Sequence, residues 1–178
     1  MTRRPTLLLT TLSAAALVLT ACGSDPEPEA SAEPTATCES VPATAEAPSS
    51  VSTDLAVAPE VAASDGLPPC GLVISDVVVG DGAVAEQGDP VEVKYVGAFY
   101  DTGEQFDSSW SRGDDETLPF TAGGGQVIEG FDEGTLGMAV GGRRYVTIPS
   151  DLGYGEAGQG PIPGGATLVF VVDLVSVG

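Results

Sequence analysis

Histidine is absent from this chain of 178 residues, and cationic side chains are scarce. Without an imidazole there is no ordinary Ser-His-Asp or Cys-His arrangement, and the commonest general base and metal ligand is missing. Six Lys and Arg side chains face 26 Asp and Glu, for a net charge of −20. Two of the six, Arg3 and Arg4, stand at the N-terminus, which leaves Lys94, Arg112, Arg143 and Arg144 for the rest. A surface this negative argues against nucleic acid and against electrostatic adhesion to anionic lipid. Two glycine-rich pieces carry no phosphate or calcium chemistry. Gly123-Gly124-Gly125 has neither the lysine nor the βαβ setting of a phosphate loop, and Gly80-Asp81-Gly82 has too few alternating acids. No metal or cofactor is expected, and the chemistry should need no nucleophile.

Aromatic residues are only 6% of the chain, and none falls between residues 22 and 69. Residues 1–21 are laid out as a secretory signal, with Arg3-Arg4 ahead of a short apolar run. That run ends in Leu19-Thr20-Ala21-Cys22, which resembles the bacterial lipobox, whose cysteine is lipidated and becomes the mature N-terminus. An extracytoplasmic protein, anchored to the cell membrane through Cys22, is the expectation. Residues 22–69 hold many prolines and acids and no cation, so composition predicts a disordered acidic tether. Cys38 and Cys70 remain. Outside the cytoplasm such a pair is more often a disulfide than a metal site, with a free thiol or pairing between molecules as alternatives.

From Cys70 to Gly178 glycine, valine and aromatics take over, enough for one core. Leu72–Val79, Val91–Val96, Arg143–Ile148 and Thr167–Val177 read as strands. The nearly unbroken apolar run of the last points to a central position. Pro119 confines Leu118-Pro119-Phe120 to an edge. One stretch reads otherwise: Gln126-Val127-Ile128-Glu129-Gly130-Phe131, followed by Asp132-Glu133, is a loop entering a helix of two or three turns, acids at its N-terminus. Phe131 is its deepest side chain. Taken alone, it plugs a core.

Val93-Lys94-Tyr95-Val96-Gly97, Gly103-Glu104-Gln105-Phe106-Asp107-Ser108-Ser109, Gln126 to Phe131, Tyr154-Gly155, Ile162-Pro163 and Ala166-Thr167-Leu168-Val169-Phe170 follow one another in an order and spacing that resembles the FK506-binding-protein family. The resemblance covers about residues 72–177 and implies an α+β fold, a twisted antiparallel half-barrel sheet wrapped around one short helix. It implies a domain over 70–178 that acts as a peptidyl-prolyl cis-trans isomerase on X–Pro bonds of exported proteins. FK506-like macrolides are further candidate ligands.

By resemblance, Tyr95, Asp107, Phe131 and Tyr154 are the catalytic residues, and Phe106, Val127, Ile128, Ile162 and Phe170 bind substrate. Phe131 is the floor for the proline ring, while the Ile128 N–H and the Tyr154 hydroxyl hold substrate carbonyls. Without the resemblance, Phe106, Ile128, Phe131 and Phe170 read as core, and only Tyr154, an aromatic in a glycine loop, stands out. The chain departs from the family where Phe131 replaces a common tryptophan and Leu118 a common aromatic. Trp110 has no assigned place. The alternative reading is a non-catalytic module that binds proline peptides or chaperones unfolded chains at the cell surface.

Overall fold

A computed structural model describes residues 37–113 and 115–178. The signal segment, Cys22 and residues 22–36 of the expected tether lie outside the described residues. The elements, in order, are β1 (Val73–Val78), β2 (Pro90–Phe99), β3 (Gln105–Ser108), β4 (Leu118–Thr121), α1 (Glu129–Thr135), β5 (Arg143–Ile148), a 3-10 turn at Ser150–Leu152, and β6 (Leu168–Val177).

All pairings between these strands are antiparallel, in the order β1-β5-β6-β2-β3, with β4 sharing the β3 edge of β2. As its apolar run predicts, β6 is central, between β5 and β2. Pro119 sits on β4, which pairs with β2 alone, so its missing N–H breaks no ladder on the other side.

The helix has seven residues and lies flush against β5. Gly130 and Gly134, one turn apart, make that approach possible. A Cβ on Gly130 would sit 2.5 Å from Ile148 Cγ2, and one on Gly134 would sit 2.8 Å from Val146 Cγ1. Asp132, in the first turn, accepts the N–H groups of Gly123 and Gly125 at 2.7 and 2.8 Å, so the glycine loop is tied to the helix. At the other end Arg144 donates to the carbonyls of Gly134 and Leu136 at 2.9 and 3.0 Å. A cation thus meets the unpaired carbonyls and negative pole that every helix C-terminus presents.

Arg143 points to the opposite face of β5, and there the composition-based expectation is corrected. Residues 37–69 are not a free tether but a strap across the outer face of the sheet. The disulfide between Cys38 and Cys70 closes it. Along the free edge of β1, the Ile74 N–H donates to Ala43 O at 2.8 Å and the Ala45 N–H to Ile74 O at 3.1 Å. Arg143, fully buried, donates to the carbonyls of Ser52, Asp54 and Val57 at 2.8 to 3.1 Å, and is paired with Asp173. Burial pushes the Asp173 carboxyl above its ordinary pKa, against the pull of that guanidinium.

The physical reason is the sheet beneath. The registers place Val96, Ala98, Val169, Val171 and Thr147 on the outer face, and all five are buried. None belongs to the core cluster around the helix. A segment without aromatics cannot build its own core, but it can cover one already apolar. Residues 37–69 accordingly belong to one compact unit with the sheet.

Candidate active site

Between α1, β2, β3 and the loop after β5 lies a cavity of about 190 Å³. Phe131, 3% exposed, forms its base and stands edge-on to two rings, with centroids 6.0 Å from Tyr95 and 5.1 Å from Phe170. Phe106 continues the wall, 5.6 Å from Phe170 and again edge-on. Such offsets place positive ring edges against negative ring faces. Gly97 makes this cluster possible, because a Cβ there would lie 2.8 Å from both Phe106 Cζ and Phe170 Cε1.

Val127, Ile128 and Gln126 arrive on the turn into α1, and Tyr154 closes the far side. Ile128 is the last non-helical residue. Its carbonyl accepts the N–H groups of Phe131 and Asp132 at 3.0 Å each, while its own N–H makes no hydrogen bond within the described residues. The Tyr154 hydroxyl is likewise unengaged among them. Burial first, then the charge of Asp107, pushes that phenol above its ordinary pKa, so it stays a neutral donor.

At the rim, Tyr95 on β2 donates its hydroxyl proton to Asp107 Oδ2 on β3 at 2.5 Å. Arg112 donates to Asp107 Oδ1 at 2.8 Å and to the Tyr95 oxygen at 3.1 Å. The Ser108 N–H adds a fourth bond, to Asp107 Oδ1 at 2.8 Å. Burial disfavours the ionised carboxylate, but these donors outweigh it and hold Asp107 below the ordinary range. Burial and the bond to Asp107 raise Tyr95. The carboxylate is thereby committed to its neighbours, and Tyr95 meets the cavity with its ring.

Eight of the nine predicted pocket residues line this cavity: Tyr95, Phe106, Asp107, Val127, Ile128, Phe131, Tyr154 and Phe170. Ile162 does not. It is 7% exposed and packed in the same core cluster as Tyr95, Phe131 and Phe170. Leu118 and Gln126 line the space as well. Arg112 is the residue the sequence reading missed as a site member. Its signal was available: one of few cations, five residues beyond an acid at the rim. Among the described residues, no group of three or more His, Cys, Asp or Glu side chains is arranged to hold a metal.

The pattern of the FKBP-type peptidyl-prolyl cis-trans isomerase family matches residues 82–175. An FK506-binding protein of Streptomyces anulatus is 53% identical over 121 residues, covering 67% of this chain and 96% of that protein. A probable FK506-binding protein of Corynebacterium glutamicum is 48% identical over 118 residues, covering 66% and 97%. The crystal structure of AtFKBP13 superimposes with a TM-score of 0.56 at 35% identity, covering 62% of this chain and 96% of that one. The cavity therefore sits in a fold and a sequence that agree on one assignment: the chain belongs to the family of FKBP-type peptidyl-prolyl cis-trans isomerases.

Proposed function

We propose that the cavity over Phe131 is where this isomerase twists X–Pro bonds, and that its clients are exported polypeptides met outside the cytoplasm. Rotation about an X–Pro amide faces a barrier of about 18–20 kcal/mol because resonance must be broken. No covalent bond forms or breaks, so a chain without histidine loses nothing. The twisted amide lacks the charge-separated resonance form of the planar states. An apolar cavity favours it over those states, while water does the reverse. Each 1.4 kcal/mol of that difference is worth about tenfold in rate.

The proline ring would rest on Phe131, between Tyr95, Phe106 and Phe170. The observation that carries this reading is a pair of uncommitted donors, the Ile128 N–H and the Tyr154 hydroxyl, on either side of an aromatic floor. They would hold the carbonyls flanking the bond while the amide turns. Tyr95, Asp107 and Arg112 would act by fixing β2 against β3. A cis-to-trans assay on an X–Pro tetrapeptide tests it. Wild type should accelerate exchange, with Phe131→Ala and Tyr154→Ala each lowering kcat/KM at least tenfold. Unchanged rates in both variants would refute the site.

The extracytoplasmic setting rests on Arg3-Arg4, the apolar run and Cys22 in the sequence, with support from the Cys38–Cys70 disulfide, a bond suited to an oxidising compartment. No helix among the described residues is long and apolar enough to cross a membrane. A lipid on Cys22, at the end of Leu19-Thr20-Ala21-Cys22, would be the anchor. Cys22→Ser should move the protein from the membrane fraction to the soluble one. Retention in the membrane would overturn the lipid anchor.

A further inference from the structure

A second groove, of about 510 Å³, adjoins the site. Its first wall is the end of the strap at Pro68, which is held in place by the Cys38–Cys70 disulfide and by the Tyr100 hydroxyl donating to Leu67 O at 3.2 Å. The facing wall is the loop carrying Pro161 and Pro163. Asp101 and Glu104, both exposed, stand on the turn between β2 and β3, and no Lys or Arg lines the groove. The strap wall falls outside residues 82–175, the part that the family pattern matches.

Two features tie this groove to the isomerase cavity. Phe99 lines the groove and Phe106 lines the cavity, and their ring centroids are 5.2 Å apart, so one pair of rings separates the two spaces. An extended chain advances roughly 3.3 Å per residue, so a client leaving the cavity over Phe106 would reach the groove within about two to four residues of its proline. The second is charge. Proline walls and a rim of two acids fit an extended segment that carries apolar residues and a cation, and disfavour one that carries acids.

We propose that this groove is a flanking subsite for the client polypeptide, selecting chains with Lys or Arg two to four residues from the isomerised proline. The proposal rests on the cavity over Phe131 being where the X–Pro bond turns.

The test uses the full chain and an X–Pro tetrapeptide extended at either end by three residues containing Lys, Gln or Glu. At low ionic strength, kcat/KM should rise roughly threefold from Gln to Lys and fall for Glu, at one of the two ends, as expected for exposed charges. Asp101→Asn with Glu104→Gln should erase that order. Asp81→Asn with Glu86→Gln, acids that do not line the groove, should preserve it. Equal rates for all three peptides at both ends, or an order that survives Asp101→Asn with Glu104→Gln, would overturn the subsite. Fluorescence anisotropy of the labelled peptides separates this from the function itself. Tighter binding of the Lys peptide without turnover upholds the groove and sinks the catalytic reading, while equal affinities sink the groove.

Discussion

The Tyr95 hydroxyl donates to Asp107 across neighbouring strands at 2.5 Å, and this bond sets the electrostatics of the whole rim. It lifts the phenol above its ordinary value of 10.0, burial acting first, and helps hold the carboxyl below 3.8 against burial. Tyr154 is likewise raised above 10.0. No histidine exists to titrate between them. The isomerase rate should therefore be flat from about pH 5 to about pH 9, where the rim keeps one protonation state. A bell-shaped profile of kcat/KM inside that interval would contradict the arrangement. For stability the sign follows from the lowered carboxyl. Its contribution is present above 3.8 and is lost as pH falls through the depressed value. With the side chain 47% exposed, that contribution is small.

Phe131 plugs the core and floors the cavity at once, so its replacement should cost both stability and rate. Phe131→Ala should lower unfolding stability by about 3–5 kcal/mol. Phe131→Leu, which fills more of the volume, should cost less than about 1.5 kcal/mol yet still slow isomerisation, because a branched alkyl group cannot offer the flat face of a ring. Urea denaturation beside the tetrapeptide assay separates the two effects. A Phe131→Leu protein with full activity would show that the floor needs only bulk.

Arg143 is the strap's main anchor. Arg143→Met removes three donors from strap carbonyls and leaves Asp173 buried without its partner, which should cost about 3–5 kcal/mol. Adding Asp173→Leu should recover much of that loss in the sheet while leaving the strap loose. Limited proteolysis within residues 51–57 reads the strap, and denaturation reads the sheet. Equal resistance to cleavage in wild type and both variants would deny the anchor.

Reduction of the disulfide should have its first effect where the strap meets β1. The bond closes a separation of 32 residues, worth on the order of 3–4 kcal/mol in the chain-entropy account. Hydrogen exchange should accelerate at Glu39 and Cys70, whose N–H groups donate to Pro68 O and Glu39 O at 2.8 Å each. An unchanged Tm after complete reduction would mean that the sheet holds the strap without it.

The strands and the short helix could be read from the chain, because each leaves a local mark, whereas most of the cavity was legible only through the family resemblance, Tyr154 alone standing out by itself. Alternation marks β5, an unbroken apolar run marks β6, and glycine before an aromatic marks the entry to α1. The strap left only the Cys38 and Cys70 pair as a mark. Its hold comes from main-chain carbonyls accepting from Arg143 and from apolar side chains on the opposite partner, so its own composition looked like that of a free coil. Ile162 packs with the cavity aromatics in the core but is not among the residues that line the cavity. An isoleucine between prolines in a glycine loop can point to the cavity or under it, and only the packing of the loop decides. Arg112 escaped notice because its importance lies in Tyr95 and Asp107, one on a different strand.

Arg143 grips oxygen atoms that every amino acid possesses. Ser52, Asp54 and Val57 could therefore be exchanged for many other residues while the clasp persisted, provided the path of the backbone held. Relatives carrying the same strap need share no letters at these three positions. The trace to look for is on the sheet, as an arginine opposite an aspartate at the positions of Arg143 and Asp173.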